Sequence, residues 1–146
     1  MIRKEGAYKM NTFIIASHST FAQGVYECLR FFKSDIDNVH YLNAYVEDME
    51  FEKSFRRLLD SFDAENVIVL TDLPGGSVNI VCYKLIKDYH YHLISGINFP
   101  LALELIFQTN VIEGNMIRDL IKTSQNQIVY MNDTVDSVVE DEGQEL

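Results

Sequence analysis

The sequence predicts an α/β fold: an open, doubly wound, mostly parallel sheet covered by helices on both faces. Three observations carry this reading. Short β-rich apolar runs alternate with segments of helical period from Thr12 to about Met131. Two of the runs, TFIIA (Thr12–Ala16) and NVIVL (Asn66–Leu70), are almost wholly apolar, as strands buried on both faces must be. The 146 residues, 47% of them apolar, suit one domain with a sizeable core.

The elements follow in order. After TFIIA, the residues Phe21, Val25, Cys28, Leu29 and Phe32 recur at helical spacing. VHYLNAYV (Val39–Val46) is β-branched and aromatic and reads as the second strand. Phe51, Phe55, Leu58, Leu59 and Phe62 form the second helical stripe. NVIVL is the third strand, and Val78, Val81, Cys82, Leu85 and Ile86 mark the third helix. YHLIS (Tyr91–Ser95) is the fourth strand, and Pro100 suits the first turn of the helix PLALELIFQ. A further helix covers about Asn115–Thr123, and QIVYM (Gln127–Met131) reads as a last strand. Strand 2 has the mixed composition of an edge strand, which gives the order 2-1-3-4 with the switch point between strands 1 and 3. Ligands of such sheets bind outside the carboxyl ends of the strands at the switch.

There are no internal repeats and no Pro/Gly/Ser-rich linker, so the domain is placed at 10–135. The leader MIRKEGAYK (1–9) has no periodic pattern, which makes Met10 a candidate natural start. It and the acidic tail (136–146) are expected to be poorly ordered. From Asp133 onward there are six acids and no base, which supply six of the ten net negative charges. A net charge of −10 excludes a binder that needs a basic face for nucleic acid. Cys28 and Cys82 fall in apolar helical patterns and read as buried thiols of a reducing compartment, not as a disulfide framework. No apolar run is long enough to span a bilayer, and TFIIA is too short for a signal-peptide core, so a cytoplasmic location is expected.

The switch point singles out two loops: SHST (Ser17–Thr20) after strand 1 and TDLPGGSVN (Thr71–Asn79) after strand 3. A neutral imidazole at His18 can attack a phosphoryl group through one ring nitrogen, provided the other carries the proton. A carboxylate accepting that N–H fixes the tautomer, and Asp72 at the neighbouring strand end is of the right type. The bland alternative for His18 alone is a histidine at a helix start, with Ser19 or Thr20 as cap. Gly75 and Gly76 can turn backbone N–H groups toward an anion, and Ser77 adds a hydroxyl; the alternative is a simple tight turn. The Walker spacing and its lysine are missing, and no G-x-S-x-G surrounds Ser17 or Ser19. His90 and His92, two apart on one predicted strand, lack a third ligand, and His40 reads as another polar residue near a strand edge. No metal or cofactor is expected.

The three blocks FIIASHSTFAQGV, VIVLTDLPGGSVN and ISGINFPLALEL together resemble the enzyme IIA component of the mannose/fructose/sorbose family of the bacterial phosphoenolpyruvate-dependent sugar phosphotransferase system. They occur in the family's order and spacing, from about Met10 to about Met131. The resemblance implies a phosphotransferase whose His18 is transiently phosphorylated, taking the phosphoryl group from HPr and passing it to a IIB component during sugar uptake. It implies that Asp72 pairs with His18, that Gly75, Gly76 and Ser77 face the phosphoryl group, and that the loop with Asn98 and Pro100 borders the site. It also implies a homodimer in which QIVYM is exchanged. The chain departs from the family's usual pattern at Ser19, where glycine is common. It departs again at Pro74 and Val78, where a large apolar residue precedes the glycines and proline follows the serine. Two alternatives remain beside this reading: a regulatory module, phosphorylated on His18, that acts on a protein partner without sugar transport; and a fold relative that is not phosphorylated at all.

Overall fold

The computed structural model of the protein describes residues 10–46, 49–63 and 66–135; the expected leader (1–9) and acidic tail (136–146) lie outside the described residues. Four strands, β1 (Thr12–His18), β2 (Val39–Ala44), β3 (Val67–Thr71) and β4 (His92–Ser95), form one parallel sheet in the order β2-β1-β3-β4. The predicted order and the switch point between β1 and β3 are therefore observed. Five helices follow the strands: α1 (Phe21–Phe32), α2 (Phe51–Asp60), α3 (Ser77–Tyr89), α4 (Phe99–Ile106) and α5 (Gly114–Gln125).

The period-2 alternation of β1 divides the core into two layers. Phe13 and Ile15 pack with Ala22 and Leu29 of α1, Leu101 and Leu105 of α4, and Ile117 of α5. Ile14 and Ala16 face the other way, onto Phe51, Phe55 and Leu59 of α2 and Val78, Cys82 and Leu85 of α3. β1 and β3 are buried on both sides, which is why their sequences are continuous apolar runs. The α2 and α3 layer is further tied at its surface. There Glu52 accepts from Arg56 Nε (3.1 Å) and Lys84 Nζ (3.2 Å), and these bonds hold its carboxyl below its ordinary range.

Several expectations are corrected. The face α1 turns to the sheet is Ala22, Val25, Tyr26 and Leu29, an i, i+3, i+4, i+7 stripe. Phe21, Phe32 and Cys28 are exposed. Cys28 is thus not a buried thiol. Cys82 is one, and burial pushes it up to about 12. His90 is not on a strand with His92: it caps α3 in the left-handed region (φ 57°), with its N–H on Ile86 O at 2.7 Å. His40 on the edge strand β2 stacks on Phe62 at 5.2 Å, and burial lowers its pKa against the opposing pull of Asp37. QIVYM forms no strand within the chain. It follows α5 without β pairing, leaves Ile128 and Tyr130 exposed, and enters a short 3-10 turn, Met131–Thr134.

The amino ends of the strands are fastened by a buried asparagine cluster. Asn11, just before β1, donates to Asn110 O (2.8 Å). Its Oδ1 accepts from Asn66 Nδ2 and Ile112 N, both at 2.9 Å. Asn38 Nδ2 closes the cluster on Asn11 O at 2.9 Å. Asn11→Ala leaves the buried Ile112 N–H without its acceptor and removes the bonds to Asn110 O and Asn66 Nδ2. The expected loss is about 2–4 kcal/mol of unfolding free energy in urea titration. A loss under about 0.5 kcal/mol would show that water replaces the side chain.

Candidate functional site

β1 runs two residues further than the sequence predicts, because Ser17 and His18 continue its pairing with Asn43 and Ala44 of β2. This carries His18 to the carboxyl edge of the sheet, beside the end of β3, where Ala16 pairs with Thr71. Asp72 follows Thr71 directly and meets His18 across the switch point. Its Oδ2 accepts two bonds from the one residue, from the His18 backbone N–H and from the ring Nδ1, each at 3.0 Å. A carboxylate only accepts, so the proton of the ring sits on Nδ1 and Nε2 keeps its lone pair. Asp72 Oδ1 is buried and accepts no hydrogen bond from the described residues. The compensation of the carboxylate charge therefore falls on His18.

Ser77 opens α3 and lies on the other side of the ring, with Oγ 3.1 Å from His18 Nε2. Because Nε2 is the acceptor, the Ser77 hydroxyl donates to it. Tyr45, at the end of β2, lies 2.9 Å away through its own hydroxyl. The Ser77 proton is already engaged, so Tyr45 donates to Ser77 Oγ. The His18 and Tyr45 rings are 5.7 Å apart. The His18 side chain is 40% exposed and that of Asp72 17%, so the ring is open to solvent while the carboxylate is more deeply set.

The glycine turn works differently from the expectation. Gly75 takes φ 77°, as a tight turn requires. Gly76, however, donates its N–H to Leu73 O (3.1 Å), so this N–H closes the turn and does not point at an anion. The missing side chain is what matters: a Cβ on Gly76 would lie 3.1 Å from His18 Cε1 and 3.2 Å from Leu73 O. Pro74 is accommodated in the same way, because its ring packs where a Cβ on Gly96 would stand, 3.3 Å from Pro74 Cδ. Thr71, fully buried, ties the two loops together through Ser95 Oγ (2.7 Å) and Asn79 Oδ1 (3.0 Å).

The helix after His18 is not capped by Ser19 or Thr20 side chains. Ser17 Oγ accepts from Ala22 N at 2.7 Å and Asn43 Oδ1 accepts from Gln23 N at 3.1 Å. Ser19 is left free to take the left-handed region (φ 53°), with its N–H on Ala44 O at 3.0 Å. Asn98 caps α4 through Leu101 N (3.0 Å) and donates to Ser124 O of α5 (2.8 Å), so its side chain holds two helices instead of reaching His18. Pro100 sits in the first turn of α4, as its ring favours. Tyr45 was not singled out by sequence, since an aromatic residue at a strand end reads as strand composition. Among the described residues there is no cluster of three or more metal-ligating side chains.

Residues 12–124 match the family model described as PTS system fructose IIA component. The fold is similar to that of a candidate phosphoenolpyruvate-dependent sugar phosphotransferase system permease from Klebsiella pneumoniae. That pair shares a TM-score of 0.79 and 28% identity, over 92% of this chain and 99% of that one. It is also similar to the PTS IIA protein associated with the fucose utilization operon of Streptococcus pneumoniae, at TM-score 0.75 and 27% identity over 88% and 98% of the two chains. The mannose/sorbose-specific IIA subunit from Enterococcus faecalis shares the fold at TM-score 0.74 and 18% identity, over 84% and 94%. No match was found among curated protein sequences.

The strain at Ser19 has a measurable consequence. A side chain in the left-handed region costs about 1–2 kcal/mol, against about 0.5–1 kcal/mol for the extra chain entropy of glycine. Ser19→Gly is expected to raise stability by up to about 1 kcal/mol in chemical denaturation. A clear loss would mean that the Ser19 side chain makes a contact that outweighs its backbone.

Proposed function

The chain belongs to the PTS fructose IIA family, and on that premise we propose that it is a phosphoryl carrier whose His18 accepts a phosphoryl group from phospho-HPr and passes it to a IIB component. The observation that carries this reading is the pairing of His18 with Asp72, which leaves Nε2 as an exposed nucleophile. In the forward step the Nε2 lone pair attacks phosphorus and forms the N–P bond. The bond between phosphorus and the donor breaks, and its electron pair leaves with the donor. The Nδ1 proton stays where it is. The positive charge that develops on the ring is met by the Asp72 carboxylate. In the return step an acceptor group on IIB attacks phosphorus, and the N–P electron pair falls back on Nε2. Ser77 gives up its bond to Nε2 and is then free to donate to a phosphoryl oxygen.

Both transfers need another protein to approach His18 closely and leave again. Phe21 at the start of α1, Leu73 beside Asp72 and Ile80 on the first turn of α3 are 46%, 55% and 56% exposed. Exposed apolar residues on the elements that carry His18, Asp72 and Ser77 suit brief protein encounters. The apolar segment QIVYM, without a strand partner in its own chain, supports a homodimer in which it pairs with the partner's sheet. No helix among the described residues is long and apolar enough to cross a membrane. The carrier is placed in the cytoplasm, where it meets the membrane only through other components of the transporter. The regulatory alternative has no observation of its own in its favour.

Incubation with phosphoenolpyruvate, enzyme I and HPr should add one phosphoryl group to the intact mass, lost in acid and absent in His18→Ala. A folded wild-type protein that gains none would overturn the reading. Asp72→Asn removes the charge that meets the developing cation and should slow phosphorylation about 10²-fold or more. It also exchanges the buried, partnerless carboxylate oxygen for an uncharged amide NH2 at the same place, so a buried charge is removed and the unfolding midpoint should hold or rise. Full activity in Asp72→Asn would show that the carboxylate does not assist the transfer.

A further inference from the structure

The hydrogen-bond chain from His18 does not end at Ser77. It runs on to Tyr45, whose hydroxyl is 2.9 Å from Ser77 Oγ. Tyr45 reaches this place from a sparsely populated backbone conformation, φ 66°, one residue after the end of β2. A bulky side chain seldom stands in the left-handed region, and where it does the surroundings or a function hold it there. Here the conformation sets the phenol ring beside the His18 ring, 5.7 Å between centroids, with the side chain exposed.

The geometry of the resting site indicates what the phenol meets next. Ser77 Oγ stands 3.1 Å from Nε2, on the lone pair that a phosphoryl group would take. An oxygen of a phosphoryl group on Nε2 is two bonds from the nitrogen, close to where Oγ stands now. Ser77 must swing aside, and the Tyr45 hydroxyl loses its acceptor as a phosphoryl oxygen arrives in the same place. We propose that Tyr45 is a phosphoryl-binding residue, its hydroxyl donating directly to a phosphoryl oxygen carried on His18 Nε2. This inference rests on the phosphoryl-carrier reading. No proton is transferred: the phenol keeps its hydrogen throughout, and only the acceptor changes from Ser77 Oγ to phosphoryl oxygen. A hydrogen bond to a charged acceptor is stronger than one to a neutral hydroxyl, so the exchange favours the phosphorylated state.

The test compares wild type, Tyr45→Phe, Ser77→Ala and the double variant at equilibrium with a fixed ratio of phospho-HPr to HPr, read by intact mass. Tyr45→Phe keeps the ring beside His18 and removes only the hydroxyl. The expected result is a fall of about 10-fold in the ratio of phosphorylated to free protein, with the thermal midpoint unchanged. The double variant separates direct contact from positioning. If the phenol touches the phosphoryl group itself, Tyr45→Phe lowers the ratio in the Ser77→Ala background as well. If its effect vanishes there, Tyr45 only positions Ser77 and the proposal is overturned. It is likewise overturned if Tyr45→Phe matches wild type while wild type is phosphorylated, and in that case the carrier reading stands. A wild-type protein that takes no phosphoryl group overturns both.

Discussion

The site depends on one carboxylate oxygen. Asp72 Oδ2 takes the backbone N–H and the ring N–H of the same histidine, and so fixes where the strand end lies and how the ring is turned. This double contact exists because the chain crosses from β1 to β3 in a parallel sheet. There the register Ala16↔Thr71 brings two strand ends together that are far apart in sequence. Everything outward of the pair follows from it. The proton is held on Nδ1, the lone pair points away from the sheet, and Ser77 and Tyr45 are arranged around that lone pair. The second carboxylate oxygen, buried without a donor among the described residues, leaves the charge of Asp72 poorly compensated at rest. A cation forming on the imidazole is then stabilised more than it would be beside a satisfied carboxylate.

The large features were legible in the sequence for physical reasons that are easy to name. Central strands of a parallel sheet are buried twice, so TFIIA and NVIVL had to be continuous apolar runs. Order and switch point then followed from the mixed composition of β2, and the site residues His18, Asp72, Gly75, Gly76 and Ser77 from the loops at the switch. The structure brings Asp72, Gly76 and Ser77 to His18, and Gly75 turns the chain just before Gly76 and Ser77. The roles it suggests are less uniform than the sequence did: Ser77 contacts the ring, whereas Gly76 makes room for it and closes the turn.

What escaped the sequence depends on contacts between distant segments. The helix after His18 borrows its cap from Ser17 and Asn43, residues of the strands, which frees Ser19 for a conformation usually left to glycine. Pro74 fits because Gly96, more than twenty residues later, has no side chain. Phe21 and Phe32 satisfied a helical period and still point outward, since Ala22, Val25, Tyr26 and Leu29 form the stripe that packs on the sheet. QIVYM has strand composition but pairs with neither edge strand, β2 or β4, of its own chain, and propensity cannot supply a partner. Tyr45 was hidden because nothing local marks a residue for the left-handed region when the reason for it lies on another element.

In the proposed carrier, Asp72 holds the proton of His18 on Nδ1 and so directs the phosphoryl group to Nε2. Nitrogen NMR of ring-labelled protein, before and after phosphorylation, tests it most directly. A directly bonded proton on Nδ1 at rest and phosphorus–nitrogen coupling to Nε2 afterwards are expected. A resting proton on Nε2, or phosphorus coupled to Nδ1, in a folded protein would contradict it.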